Sequence, residues 1–255
     1  MTGRRGPGTM AGYNALVRNL LPDTEFHQNR YARELGTIVR AGTRWLDLGA
    51  GPRIHHGWLG PSKNDLRSRA RIVVGCDLSA ESLRRNPDLT AKVLSDGRAL
   101  PFRNRAFTLV TANMLLEHLS DPTAVLREVH RILEPGGWFV FITPNLRHPA
   151  VFGARLLFGR QARRRIGAVI DRRSLSDVFP TFYRANSTRA VRRIAQFAGF
   201  SVVRLETFSS YPIVKFALPL TFLECLWIRL TALAPLTAMR SNLVGCLERV
   251  DDLRR

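Results

Sequence analysis

Short apolar runs recur along the chain, each ending in a small, amide or acidic residue and each followed by a more polar stretch. RWLDL at 44–48 breaks at Gly49-Ala50-Gly51, and Ile72–Cys76 ends in Asp77. AKVLSD at 91–96 ends in Asp96 ahead of Gly97, AFTLVTAN at 106–113 ends in Asn113, and GWFVFITPN at 137–145 ends in Asn145. Runs of this length and apolar content are strands covered on both faces. Phe26, Tyr31, Leu35 and Ile38 stand at mostly helical spacing and predict a helix within 24–40, with further helices at 79–85 and 122–133. A helix at 187–198, closed by Gly199, leads into a strand at 200–208, and a last strand is predicted at 242–249. Strands alternating with helices predict an α/β fold, a doubly wound, seven-stranded and mostly parallel sheet, formed by a single domain over 1–255.

Three intervals fall outside that alternation. Residues 1–23 open with MTGRRGPGTM, have no apolar run of secretory length behind it, and are expected to be a flexible tail of a cytoplasmic protein. Residues 146–185 are irregular and arginine-rich: Arg155, Arg160, Arg163, Arg164, Arg165, Arg172 and Arg173 oppose only Asp171 between Val151 and Arg173. This is expected to be a basic lid over a substrate. Residues 209–239 are mostly apolar and are expected to be a helical insertion, but Glu224, Arg229, Pro219 and Pro235 interrupt them and exclude a transmembrane span. Such a segment must be covered in a lid, a dimer interface or a membrane boundary.

Composition narrows the class. The chain has 255 residues, 45% hydrophobic and 23% charged, enough to bury a core unaided and unlike a disordered or disulfide-stapled chain. Cys76, Cys225 and Cys246 form no CxxC pair, which fits a reducing compartment and no cysteine metal site. His55-His56 lacks a spaced partner, so no metal is expected there either. The formal net charge of +19 attracts polyanions, which leaves nucleic acid, an anionic membrane surface or an anionic substrate as partners.

In an open parallel sheet the ligand lies past the carboxyl ends of the strands. Gly49 and Gly51 allow the backbone to pass close to a cofactor. A carboxylate at Asp77 can accept both hydroxyls of a ribose, Asp96 with the Gly97 amide can read an adenine edge, and Asn113 and Met114 follow the fourth strand. His118, in the LEHL that comes next, is the candidate general base, with Glu117 either orienting its imidazole or turned away.

WLDLGAGP at 45–52, VVGCDLS at 73–79, SDGRALPFRNRAFTLVTANMLLEHLSDP at 95–122 and REVHRILEPGGWFVFITPN at 127–145 together resemble the class I S-adenosylmethionine-dependent methyltransferases. The likeness is greatest to the small-molecule and quinone-biosynthesis branch. It implies a Rossmann-like fold and S-adenosylmethionine as cofactor. Asp47, Gly49 and Gly51 would face its methionine half, Asp77 its ribose, Asp96 and Gly97 its adenine, and Asn113 the wall beside the sulfonium. It implies methyl transfer to a small-molecule acceptor on oxygen or carbon, while the basic cluster beside the apolar segment adds the expectation of a lipid-like acceptor and of an anionic membrane surface as a further partner, with a peripheral place on its inner face. The family usually continues after Gly51 with a small residue and a helix. Here Pro52-Arg53-Ile54-His55-His56 follows, and Arg53 either grips the cofactor carboxylate or crowds it.

Three rivals stand beside this reading. A nucleic-acid methyltransferase would suit the charge, but TANMLLEHL carries neither an Asn/Asp-Pro-Pro-aromatic turn nor a cysteine. A nicotinamide oxidoreductase would need a third glycine where Ile54 stands. A methyltransferase fold that has lost catalysis would bind a partner, with Arg53 closing the pocket.

Overall fold

The computed structural model, described over residues 7–53, 62–157, 179–212 and 217–250, builds one seven-stranded sheet in the order β3-β2-β1-β4-β5-β7-β6. The strands are β1 (Arg44–Leu48), β2 (Ile72–Asp77), β3 (Ala91–Leu94), β4 (Phe107–Asn113), β5 (Leu133–Pro144), β6 (Phe200–Phe208) and β7 (Asn242–Arg249). The first five are parallel, and β7 runs antiparallel between β5 and β6. The strand order reverses between β1 and β4, where an open sheet of this kind leaves a crevice at its carboxyl edge.

The central strands β1, β2, β4 and β5 are mostly apolar because their alternate side chains feed two cores, whereas the edge strands β3 and β6 are half exposed. Leu46, Leu48, Val110, Phe139 and Phe141 face one side, where they meet Val125, Leu126, Val129 and Ile132 of α5 (Pro122–Ile132) and Val191 and Ile194 of α7 (Thr188–Phe197). Trp45, Val73, Leu109, Val140 and Ile142 face the other, against Tyr31 and Leu35 of α2 (His27–Ile38), Leu66 of α3 (Ser62–Arg69) and Leu83 of α4 (Ala80–Arg85). This is the doubly wound arrangement that the run lengths predict.

Two expectations need correction. The flexible tail over 1–23 is largely a helix, α1 (Pro7–Leu20), because Tyr13, Val17 and Leu21 recur at four-residue spacing and pack on Cys225 and Ile228 of α8 (Leu218–Leu230). Strand β5 starts at Leu133, not at 137, since Gly136 takes a left-handed φ of 75° and lets the chain turn without leaving the sheet. In the expected lid, α6 spans Pro149–Leu157. The arginines at 160–173 lie outside the described residues, as do Ile54, His55 and His56.

Candidate cofactor and acceptor site

The glycine turn after β1 is tied down from three directions. Gly49 and Ala50 donate to the Cys76 carbonyl at 2.8 and 3.1 Å, Gly51 donates to Asp77 Oδ2 at 2.9 Å, and the buried Asn86 amide donates to the Ala50 and Gly51 carbonyls. Gly49 has φ 69°, and a Cβ there would stand 2.7 Å from Leu115 Cδ1. Gly51 has φ 53° and meets no heavy atom closer than the Gly49 oxygen at 4.0 Å, so open space lies where a side chain would be. A rigid turn with a bare outer face is a cradle for a bound group. Arg53 is exposed just past it.

The Asp77 carboxylate stands at the tip of β2, where its other oxygen accepts from Ser79 N at 2.8 Å. Asp96 stands past β3, held by Arg98 through the backbone amide and a two-pronged guanidinium contact that keeps its carboxyl below the usual carboxylate range. Gly97 follows it, packed at ordinary contact distance from Leu48 and Val125. The loop from 96 to 104 is anchored by α5. Arg131 donates to the Leu100 and Phe102 carbonyls and to Asn104 Oδ1, and Glu128 accepts from Leu100 N.

Asp47 is turned inward. It is 2% exposed, and its Oδ1 accepts from Thr111 Oγ1 at 2.6 Å, while Trp45 Nε1 donates to the same hydroxyl oxygen at 2.7 Å. Burial pushes its carboxyl up to about 7, with Asp77 and Asp88 adding to the rise and the Thr111 hydrogen bond opposing it.

The wall past β4 is an amide pair. Asn113 Nδ2 donates to Gln28 Oε1 at 2.8 Å, and Gln28 Nε2 returns a bond to Asn113 Oδ1 at 3.1 Å, locking both planes. Met114 follows at φ 52°, a left-handed backbone uncommon outside glycine and often found at working sites.

Next comes the one-turn segment Leu116–His118, on which residues 179–186 lie as a strap. Phe182 N and Tyr183 N donate to the Glu117 carbonyl, and Arg184 donates to the Ser120 carbonyl. The buried Glu117 carboxylate accepts from Thr143 Oγ1 at 2.8 Å, and Asn186 Nδ2 donates to that same hydroxyl oxygen at 2.7 Å. Of the two orientations open to Glu117, the structure shows the one turned away from the imidazole. His118 Nδ1 instead lies 3.0 Å from the Pro180 carbonyl, with Phe179 edge-on to its ring. A carbonyl can only accept, so in the neutral ring the proton sits on Nδ1 and the lone pair on Nε2. Asn186 Oδ1 and His148 Nδ1, both buried past β5, meet no hydrogen-bond partner among the described residues, and burial lowers the His148 pKa.

The expected residues are thus brought to one edge of the sheet, with Asp47 beneath the turn. Sequence reasoning did not single out Gln28, Asn86, Thr111, Arg131, Thr143 or Asn186. The polar positions in otherwise apolar strands, Thr111 and Thr143, were the available signal. Among the described residues no cluster of three or more His, Cys, Asp or Glu side chains could hold a metal ion.

A family model for a methyltransferase domain matches residues 24–205. The demethylmenaquinone methyltransferase of Beutenbergia cavernae is 41% identical over 113 residues, 42% of this chain and 44% of that protein. The ubiquinone biosynthesis O-methyltransferase of Bordetella pertussis is 33% identical over 120 residues, 44% and 46% of the two chains. The chain therefore spans about half the length of the curated relatives it matches. Among solved structures, an S-adenosylmethionine-dependent methyltransferase from Mesorhizobium loti aligns over 87% of this chain and all of its own at TM-score 0.57 and 20% identity. The geranyl diphosphate C-methyltransferase of Streptomyces coelicolor, solved with S-adenosylhomocysteine, aligns over 88% and 81% at TM-score 0.52 and 18% identity. Those two likenesses are of fold. The sheet order, the glycine turn and the family match over most of the chain lead to one assignment: this protein belongs to the methyltransferase domain family.

Proposed function

We propose that the protein transfers a methyl group from S-adenosylmethionine to a small-molecule or lipid-linked acceptor, on oxygen or carbon, by in-line displacement. The observation that carries this is the row along the carboxyl edge of the sheet: a side-chain-free turn after β1, a carboxylate after β2, a second after β3 and an amide wall after β4. The bare face at Gly51 fits a group lying against the backbone. Asp77 keeps lone pairs for ribose hydroxyls beyond its bonds to Gly51 and Ser79, and Asp96 with the Gly97 amide suits an adenine edge.

When bound, the cofactor supplies a methyl already activated as a sulfonium. The chain's own task is alignment. The Gln28–Asn113 pair fixes one wall, and the strap over 179–186 closes the acceptor side against Leu116–His118. His118, with Nδ1 committed to Pro180, is suited to take a proton from an acceptor hydroxyl or acidic carbon through Nε2. The names of relatives such as the demethylmenaquinone and ubiquinone-biosynthesis methyltransferases support a quinone-type acceptor, and a lipid-linked acceptor together with the net charge of +19 favours a peripheral place on the inner face of an anionic membrane.

The test is to incubate the protein with methyl-tritiated S-adenosylmethionine and a bacterial cell extract that retains lipids, small molecules and nucleic acid, then to count the organic, aqueous and nucleic-acid fractions. Label in the organic or small-molecule fraction, lowered by His118→Ala, is the expected result. Label in nucleic acid instead would overturn the acceptor class. No label despite bound cofactor would leave a binding module.

A further inference from the structure

Helix α8 (Leu218–Leu230) is mounted with its less apolar side inward. Thr221, Cys225 and Ile228 face Tyr13, Val17 and Leu21 of α1, and Tyr13 ties the pair to the rest of the chain through the Pro212 carbonyl at 2.9 Å. The leucines point out. Leu220 is 51% exposed, Leu223 59% and Leu230 48%, with Phe222 and Leu226 also exposed and Leu233 continuing the apolar surface past the helix end. At 100° per residue, Leu220, Leu223, Leu226 and Leu230 fall within about 120° of the circumference, an uninterrupted stripe. The stripe is edged by the exposed Arg229 on one side and the half-exposed Glu224 on the other, and Arg18 is exposed on the packed helix α1. A helix that faces only water would carry its small and polar residues outward, so this face is built to be covered.

Charge decides what covers it. The chain carries +19, so its net charge opposes the meeting of two copies and draws the chain toward a surface of anionic lipid. Nucleic acid would satisfy the charge but offers nothing to a row of leucines. Leucine and phenylalanine on one face with arginine beside them are what an interfacial helix needs to sink to the headgroup–acyl boundary. Among the described residues no helix is long and apolar enough to cross a membrane.

We propose that the outer face of α8 is a docking surface for an anionic lipid bilayer, entered by Leu220, Leu223, Leu226 and Leu230 and held electrostatically by Arg229 and Arg18. The inference deepens the reading of a lipid-linked acceptor and rests on it for its purpose, though not for its test. An acceptor dissolved in the bilayer would then reach the protein without crossing water.

The experiment is sedimentation of the full chain with phosphatidylglycerol-containing vesicles and with pure phosphatidylcholine vesicles, at low and high salt. Wild-type protein is expected to pellet with the anionic vesicles, with release as salt rises. The triple variant Leu220→Gln/Leu223→Gln/Leu230→Gln is expected to lose about a hundredfold in partitioning, and Arg18→Gln about fivefold. The substituted leucines are exposed, so melting temperature and S-adenosylhomocysteine affinity should be unchanged and certify that the variant is folded. Three results would overturn the proposal: wild type remaining in the supernatant with anionic vesicles, the triple variant pelleting as wild type does, or light scattering that finds a wild-type dimer which the triple variant splits. If wild type binds vesicles but no S-adenosylhomocysteine, the methyl-transfer reading fails while the lipid surface stands.

Discussion

Asp47 links the site to the stability of the fold, and replacing it with asparagine isolates that link. Its carboxyl is buried with Trp45 and Thr111 and titrates near 7 against an ordinary value of 3.8. A folded-state pKa above the unfolded one means that the folded protein binds the extra proton. The stabilisation is therefore full below about pH 4 and is lost as pH rises through 7. A rise of about three units corresponds to on the order of 4 kcal/mol over the whole range, and to roughly 3 kcal/mol between pH 5 and 8.5. Asp47→Asn keeps the oxygen that accepts from Thr111 and cannot ionise. Urea unfolding of both proteins at several pH values from 5 to 8.5 separates Asp47 from every other titrating group. The stability of wild type relative to Asp47→Asn should fall by roughly 3 kcal/mol across that range. A difference independent of pH would refute the reasoning, because Asp47 would then be ionised throughout or titrate as it does in the unfolded chain.

Asp77→Ala removes the acceptor for Gly51 N and Ser79 N together with the proposed ribose contact. S-adenosylhomocysteine affinity by calorimetry should drop about a hundredfold, consistent with two or more charge-assisted hydrogen bonds. Nitrogen-15 spectra of the imidazoles should show His118 protonated on Nδ1 in its neutral form; a proton on Nε2 would exclude it as the base. Arg131→Leu frees the Leu100 and Phe102 carbonyls, so proteolysis within 96–104 should accelerate and cofactor affinity should weaken about tenfold, while a fully protected loop would show that α5 does not anchor it.

Strands β1 and β2 are legible in the sequence because they lie between two cores and are mostly apolar, while β6, a half-exposed edge strand, is legible because Gly199 closes the helix before it, so all three match their expected limits. Helix α1 is hidden by Gly6, Pro7, Gly8 and Gly12 about its start, which read as a loose tail, although Tyr13, Leu16, Val17, Leu20 and Leu21 stand at helical spacing and pack on α8. The start of β5 is hidden because Gly136-Gly137 reads as a turn, although the glycine backbone bends there inside a continuous strand. The strand-end residues Asp77, Asp96 and Asn113 are visible because topology alone places them. Their supports are not visible. Asn86 holds the glycine turn from 35 and 36 residues away, and Gln28 meets Asn113 across 85, so no local pattern marks either pair. Glu117 is legible as a polar residue beside His118, but its inward turn depends on Thr143, a hydroxyl buried in β5 that only the packed sheet brings within reach.

The central claim is that the glycine turn, Asp77 and Asp96 hold S-adenosylmethionine. Isothermal titration of the purified chain with S-adenosylmethionine, S-adenosylhomocysteine and NAD tests it most directly. Micromolar binding of the first two and none of NAD is the expected result. No heat with any of the three would contradict the claim and place Arg53, at the open edge of the turn, as the group that closes the pocket.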